Sequence, residues 1–199
     1  MSGRLPRLAV VLVAFLAGLG VCLGGILYFT RAGTGPINIP TAAIGGPFRL
    51  VDQNGAPFSD QNLKGKPFLV FFGFTHCPDV CPTALFEMSE IMRKLGSDAD
   101  RTAALFVTVD PERDTPASMK DYLASFDPHI RGLTGDPAAL AAVAKAYRVY
   151  YKKVPLDSGD YTMDHTAIVY LMDKDGQFIA PFDLQRSPDA EATELRRYM

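Results

Sequence analysis

Two cysteines, Cys77 and Cys81, stand four positions apart in FLVFFGFTHCPDVCPTAL (residues 68–85), and the third, Cys22, lies far upstream in an apolar run. A pair at this spacing supports three chemistries: a small structural disulfide, a redox pair, or two thiolates for a soft metal. A bridge closing so short a loop removes little chain entropy and makes a poor staple. Two thiolates around a soft d¹⁰ cation such as Cu(I) gain from a third ligand, and the chain offers His76, His129 and His165. His76 adjoins Cys77 and reaches the same point only if its side chain turns inward, so it reads as solvent-facing or structural. His129, in FDPHIRG, reads as a surface-loop residue. His165, in YTMDHTAIVYLMD, stands just before a core strand, and ligand sites form outside the ends of strands. Two thiolates and an imidazole suit Cu(I), and zinc less well without a fourth ligand. Asp164 is a candidate to orient the imidazole, and Met163 reads as packing. Asp110 and Asp114, in VDPERDTP, could bind a hard cation but read better as the end of a strand and caps of the next helix.

These residues need a strand and a helix to carry them. FLVFFGFT (68–75) is apolar throughout, as in a strand covered on both faces. After Cys81, PTALFEMSEIMRKLG places Leu85, Met88, Ile91, Met92 and Leu95 at helical spacing, with Pro82 at the first helical position and Gly96 at the end. Pro78 and Pro82 disfavour the α conformation at Cys77 and Cys81, which makes the motif a shaped loop. The helix N-terminus supplies partial positive charge, so the expected site favours thiolate over thiol.

Further along, TAALFVTVDP is a second buried strand. DTPASMKDYLASF is a helix capped by Thr115 with Pro116 at N1, and IRGLTG holds a short strand. GDPAALAAVAKAYRVYY is a helix capped by Asp136. TAIVYLMD, the turn DKDGQ and FIAPFDL form a hairpin, and SPDAEATELRRYM is a capped terminal helix. Upstream, RLVDQNGAPF carries an Asn-Gly hairpin signal. The order predicts an α/β fold of thioredoxin-like pattern: a mixed central sheet flanked by helices, with an N-terminal β-hairpin.

Residues 8–29 carry no charge and as a helix span about 33 Å, enough for a bilayer core. Arg4 and Arg7 precede the run, so residues 1–7 are expected in the cytoplasm and everything beyond the span is exported. Three readings of the run compete. A cleaved signal peptide lacks a clear A-x-A site, a lipidated Cys22 follows Val21 where a small residue is wanted, and an uncleaved single-pass anchor fits best. Residues 30–46, rich in Gly and Pro, read as a tether, and 47–199 as the folded domain. Three of the 20 basic residues and none of the 22 acidic ones lie at the anchor, so the remainder carries 17 against 22, a net charge of −5. That balance argues against a nucleic-acid partner.

FFGFTHCPDVCPT, VTVDPERDTP and DHTAIVYLMD, in that order, resemble the Sco/SenC family of membrane-anchored copper proteins from about residue 44 to the C-terminus. The resemblance implies a thioredoxin-like fold and one copper ion held by Cys77, Cys81 and His165. It implies a part in assembling the binuclear copper centre of cytochrome c oxidase, by supplying copper to the copper-receiving subunit, by reducing that subunit's cysteines, or both. A thiol reductant would keep the pair open, and the location would be the inner membrane with the domain in the periplasm or an equivalent exported compartment. The three-residue spacing, and Asp164-His165-Thr166 where thioredoxins resemble one another in having a cis-proline, favour a metal over a mixed disulfide. Two alternatives use the same thiols: a thiol–disulfide oxidoreductase or thiol peroxidase with Cys77 and Cys81 as its redox pair, and a copper or redox sensor.

Overall fold

In the computed structural model, which describes residues 5–32 and 44–199, the apolar run forms helix α1 (Leu5–Ala32). Among the described residues it is the one helix long and apolar enough to cross a membrane, and its stretch Val10–Tyr28 is not buried within the molecule. The expected span 8–29 falls inside this helix, whereas most of the expected tether lies outside the described residues.

The chain divides into two compact units, Met1–Thr41 and Ala42–Met199. The second begins its regular structure with β1 (Arg49–Asp52) and β2 (Pro57–Ser59), paired antiparallel with Leu50 opposite Phe58. The Asn54-Gly55 signal is used as expected, with Gly55 at φ 79°. Then follow β3 (Phe68–Gly73), α2 (Val80–Leu95), β4 (Ala103–Thr108), α3 (Pro116–Leu123), β5 (Ile130–Thr134) and α4 (Pro137–Ala146). The chain closes with β6 (Tyr151–Pro155), β7 (Tyr161–His165), β8 (Val169–Met172), β9 (Phe178–Phe182) and α5 (Pro188–Arg196). Three helices start alike: the side chains of Thr115, Asp136 and Ser187 each accept a backbone N–H of the first turn, and proline follows at N1.

Seven strands form one mixed sheet in the order β2-β1-β5-β4-β3-β8-β9. β3, β4 and β5 are parallel, β8 runs antiparallel to β3, and β1 closes antiparallel on β5. α2 and α3 cover the face bearing Phe71, Phe106 and Gly132. A β-carbon on Gly73 would strike Cys81 of α2, and one on Gly132 would strike Met119 and Leu123 of α3. α5 packs on α2, and Tyr147, at the end of α4, meets Phe72 and Tyr170 on the other face. All six β3 positions are buried. The all-apolar run thus reports a strand with cover on both sides.

Two elements depart from expectation. α2 begins at Val80, behind Asp79, so Cys81 is already helical and Pro82 occupies the first turn rather than its first position. Proline is tolerated there because first-turn N–H groups have no intrahelical partner anyway. The helix expected through YRVYY ends at Ala146. Arg148 takes a left-handed φ of 56°, and the chain turns into a β6–β7 hairpin that pairs only with itself.

Candidate metal centre

Gly73 ends β3, and four residues later Cys77 sits half-buried in the loop, with Cys81 fully buried in the first turn of α2. His165 is the last residue of β7 and lies half-buried four residues before β8. The cysteines follow the exit of β3 and the histidine precedes the entrance of β8. Because the two strands are antiparallel, with Phe71 opposite Val169, exit and entrance share one edge of the sheet. One Sγ from each cysteine and a ring nitrogen of His165 all lie within 4.8 Å of one another. Cys81 Sγ is 3.7 Å from His165 Nε2, and the Cys81 N–H points at Cys77 Sγ, 3.4 Å away. Both thiols are free.

The imidazole is held as a ligand should be. Its Nδ1 lies 3.2 Å from the Thr166 carbonyl, an acceptor only, so the proton belongs on Nδ1 and the lone pair on Nε2, facing Cys81. The rings of Phe71 and Phe74 meet it edge-on, at 6.2 and 5.7 Å between centroids. Burial holds the imidazole's pKa below the usual histidine value, so the ring stays neutral. Asp164, expected to orient the ring, is exposed and makes no such bond; the Thr166 carbonyl does that work. Met163 is buried as packing.

Cys81 corrects the expectation of ready thiolates. Burial pushes its thiol far up, against the opposing pull of a backbone hydrogen bond at Phe74, and the neighbouring Cys77 raises it further. Desolvation therefore outweighs the helix N-terminus at this sulfur. In the metal-free molecule burial thus favours the thiol form of Cys81.

Two residues outside the pair and the histidine shape the centre. A β-carbon at Gly73 would lie 2.6 Å from Cys81 Sγ and 2.7 Å from the Phe106 ring, so only glycine lets the helix come this close. A glycine within the apolar run FLVFFGFT is the available signal. Asp114, fully buried, accepts from Thr75 Oγ1 and Thr108 Oγ1 at 2.6 Å each, and from the Thr75 N–H at 3.1 Å. It ties the start of the cysteine loop to β4 and does not cap α3, a role that falls to Thr115 alone. Asp110 binds Arg113 Nε at 2.5 Å and the Tyr161 hydroxyl at 2.9 Å. His76 is exposed, 3.0 Å from Thr75 Oγ1, and His129 is engaged by Asp127 at 2.7 Å. Neither histidine joins the centre.

A thioredoxin-like domain with a Cys-x-x-x-Cys pair at a strand–helix junction and a histidine brought in by a separate hairpin defines a narrow class. The chain belongs to the SCO1/SenC family, whose model matches residues 38–199. It is 64% identical to ScoI of Bradyrhizobium japonicum, solved with copper bound, covering 79% of this chain and 100% of that one at a TM-score of 0.77. Yeast Sco1, also solved with copper bound, is 37% identical, covering 78% of this chain and 88% of that one at a TM-score of 0.71. A SCO2-like protein of Rickettsia conorii is 41% identical over 166 residues, 81% of each chain.

Proposed function

We propose that this protein is a membrane-anchored copper carrier. In this reading Cys77, Cys81 and His165 hold one copper ion as cargo, for delivery to the copper-receiving subunit of cytochrome c oxidase. The observation that carries it is the meeting of two sulfurs and an imidazole nitrogen within 4.8 Å. That set suits Cu(I) by softness and by number. Relatives solved with copper bound support the choice of metal, and membership of the family supports the oxidase as destination. α1 is the anchor, residues 47–199 are the copper-binding domain, and that domain faces the exported side. A thiol reductant must act before loading, since a Cys77–Cys81 disulfide has no thiolate to offer.

The test loads full-length protein in detergent, reduced and anaerobic, with Cu(I), as wild type, Cys77→Ser, Cys81→Ser and His165→Ala. One tightly bound copper per wild-type chain, lost in both cysteine variants and weakened in the histidine variant, is the expected result. Absence of tight copper in a reduced wild type overturns the reading. Transfer to the isolated copper-receiving domain of the oxidase tests the destination.

The free state of both thiols and the partial exposure of Cys77 favour a second reading, a thiol–disulfide oxidoreductase. Turnover of a disulfide substrate that survives His165→Ala would select it.

A further inference from the structure

His165 belongs to no strand of the main sheet. It ends a hairpin, β6–β7, whose two strands pair only with each other, so something else must fix where the histidine stands. Beyond the direct contacts of its ring with Phe71, Phe74 and the Thr166 carbonyl, a dense set of contacts lies four residues away in the same strand. Tyr161, Met163 and His165 share one face of β7, because side chains alternate along a strand. Met163, between the other two, is buried in the core. Tyr161 is gripped by the loop that follows β4. Its hydroxyl donates to Asp110 Oδ1 at 2.9 Å, its carbonyl accepts from Arg113 Nη1 at 3.0 Å, and the Arg113 guanidinium lies 3.7 Å from its ring centroid. Lys153 Nζ stands 3.8 Å from the same centroid and pairs with Glu112. Arg113 is itself held by Asp110, and its Nη2 is buried with no hydrogen-bond partner. A desolvated guanidinium stacked on a tyrosine is a strong form of this contact.

We propose that Arg113 is a positioning residue for the metal centre: through Tyr161 it holds the β6–β7 hairpin so that His165 stands over the cysteine pair. The neighbouring Asp114 ties down Thr75, two residues before Cys77. One short loop, Asp110 to Asp114, therefore grips both halves of the centre, the thiol half through Asp114 and the imidazole half through Arg113. The inference rests on the copper reading only for its consequence; the grip on the hairpin is independent of any metal.

The test uses full-length protein in detergent and two readouts. Without metal, amide hydrogen exchange is compared for wild type, Arg113→Gln and the milder Tyr161→Phe, which keeps the ring and loses only the hydroxyl bond. Exchange across 151–166 is expected to quicken about tenfold in Arg113→Gln and less in Tyr161→Phe, with β3 and α2 unchanged. With Cu(I), competition against a chelator should show Arg113→Gln weakened on the order of 10- to 100-fold, the scale of other contacts that orient a ligand. The double variant Arg113→Gln/His165→Ala should bind no more weakly than His165→Ala alone. Unchanged hairpin exchange, uniform loosening of the whole domain, or additive losses in the double variant overturns the proposal. If the reduced wild type takes no copper, the carrier reading falls and the exchange comparison alone decides the grip.

Discussion

Gly73 and Cys81 approach so closely that a β-carbon on residue 73 would sit 2.6 Å from the sulfur, inside any real contact distance. Neither neighbour can yield cheaply: Cys81 sits in the first turn of α2, and the Phe106 ring at 2.7 Å is fully buried. Gly73→Ala should therefore push the first turn of α2 away from the sheet. The expected cost is about 1–3 kcal/mol in unfolding free energy, as for other overpacked sites. A drop in copper affinity should accompany it, because Cys81 moves and His165 does not. Denaturant unfolding with copper titration checks both, and a variant as stable and as tightly loaded as wild type refutes the contact.

Copper loading should release protons. Burial keeps Cys81 a thiol at neutral pH, so binding as thiolate must expel that proton. His165, its pKa lowered by burial, is already neutral at pH 7 and contributes none. Since the folded value lies below the ordinary 6.5, competition from its protonation sets in only at a pH below 6.5. Calorimetry of Cu(I) binding at pH 7 in buffers of different ionisation enthalpy should give at least one proton released per copper. Release of none would show that Cys81 is ionised before the metal arrives.

Asp114 makes a prediction about pH and stability. Burial raises its pKa above the ordinary 3.8, although its bonds to Thr108 and Thr75 pull the other way. A raised folded value means that protonation favours the folded chain. This carboxyl's contribution is therefore fullest below pH 3.8 and declines as the pH rises through the folded value. Asp114→Asn removes the titration and turns an amide N–H₂ toward donors, at a cost of about 1–3 kcal/mol. The deficit of the variant against wild type should widen as the pH is lowered from 7 toward 4. Thermal melts across that range check it, and a deficit that narrows contradicts the sign.

Most of the sheet and the three residues that the structure gathers at the candidate centre are legible in the sequence, because their signals are local. A buried strand writes a continuous apolar run, and Thr115, Asp136 and Ser187 announce helices together with the proline that follows each. The β6–β7 hairpin was hidden for the opposite reason. Its strands touch the core at few points: YKKVP carries no clean alternation, YTMDH alternates over only five residues, and YRVYY extends the helical pattern past the true stop at Ala146. The grip of Arg113 on Tyr161 spans 48 residues of sequence and leaves no periodic trace. The protonation of Cys81 is not legible in the sequence, because a helix N-terminus can be read from a proline, whereas desolvation depends on what the tertiary fold stacks against the sulfur.

The two thiols should differ sharply toward an alkylating reagent. Cys81 is 0% exposed, packed against Gly73 and facing His165, while Cys77 is only partly covered by its loop. A reagent needs both access and thiolate, and burial denies Cys81 each of them. With reduced full-length protein, iodoacetamide should modify Cys77 at least about tenfold faster than Cys81, resolved by peptide mass spectrometry. Equimolar Cu(I) should protect Cys77, since a coordinated thiolate cannot attack carbon. In His165→Ala that protection should weaken, while the slow labelling of Cys81, which comes from packing, should persist. Equal rates at the two cysteines would mean that the first turn of α2 opens readily. Protection of Cys77 untouched by His165→Ala would mean that the sulfurs hold copper without the imidazole.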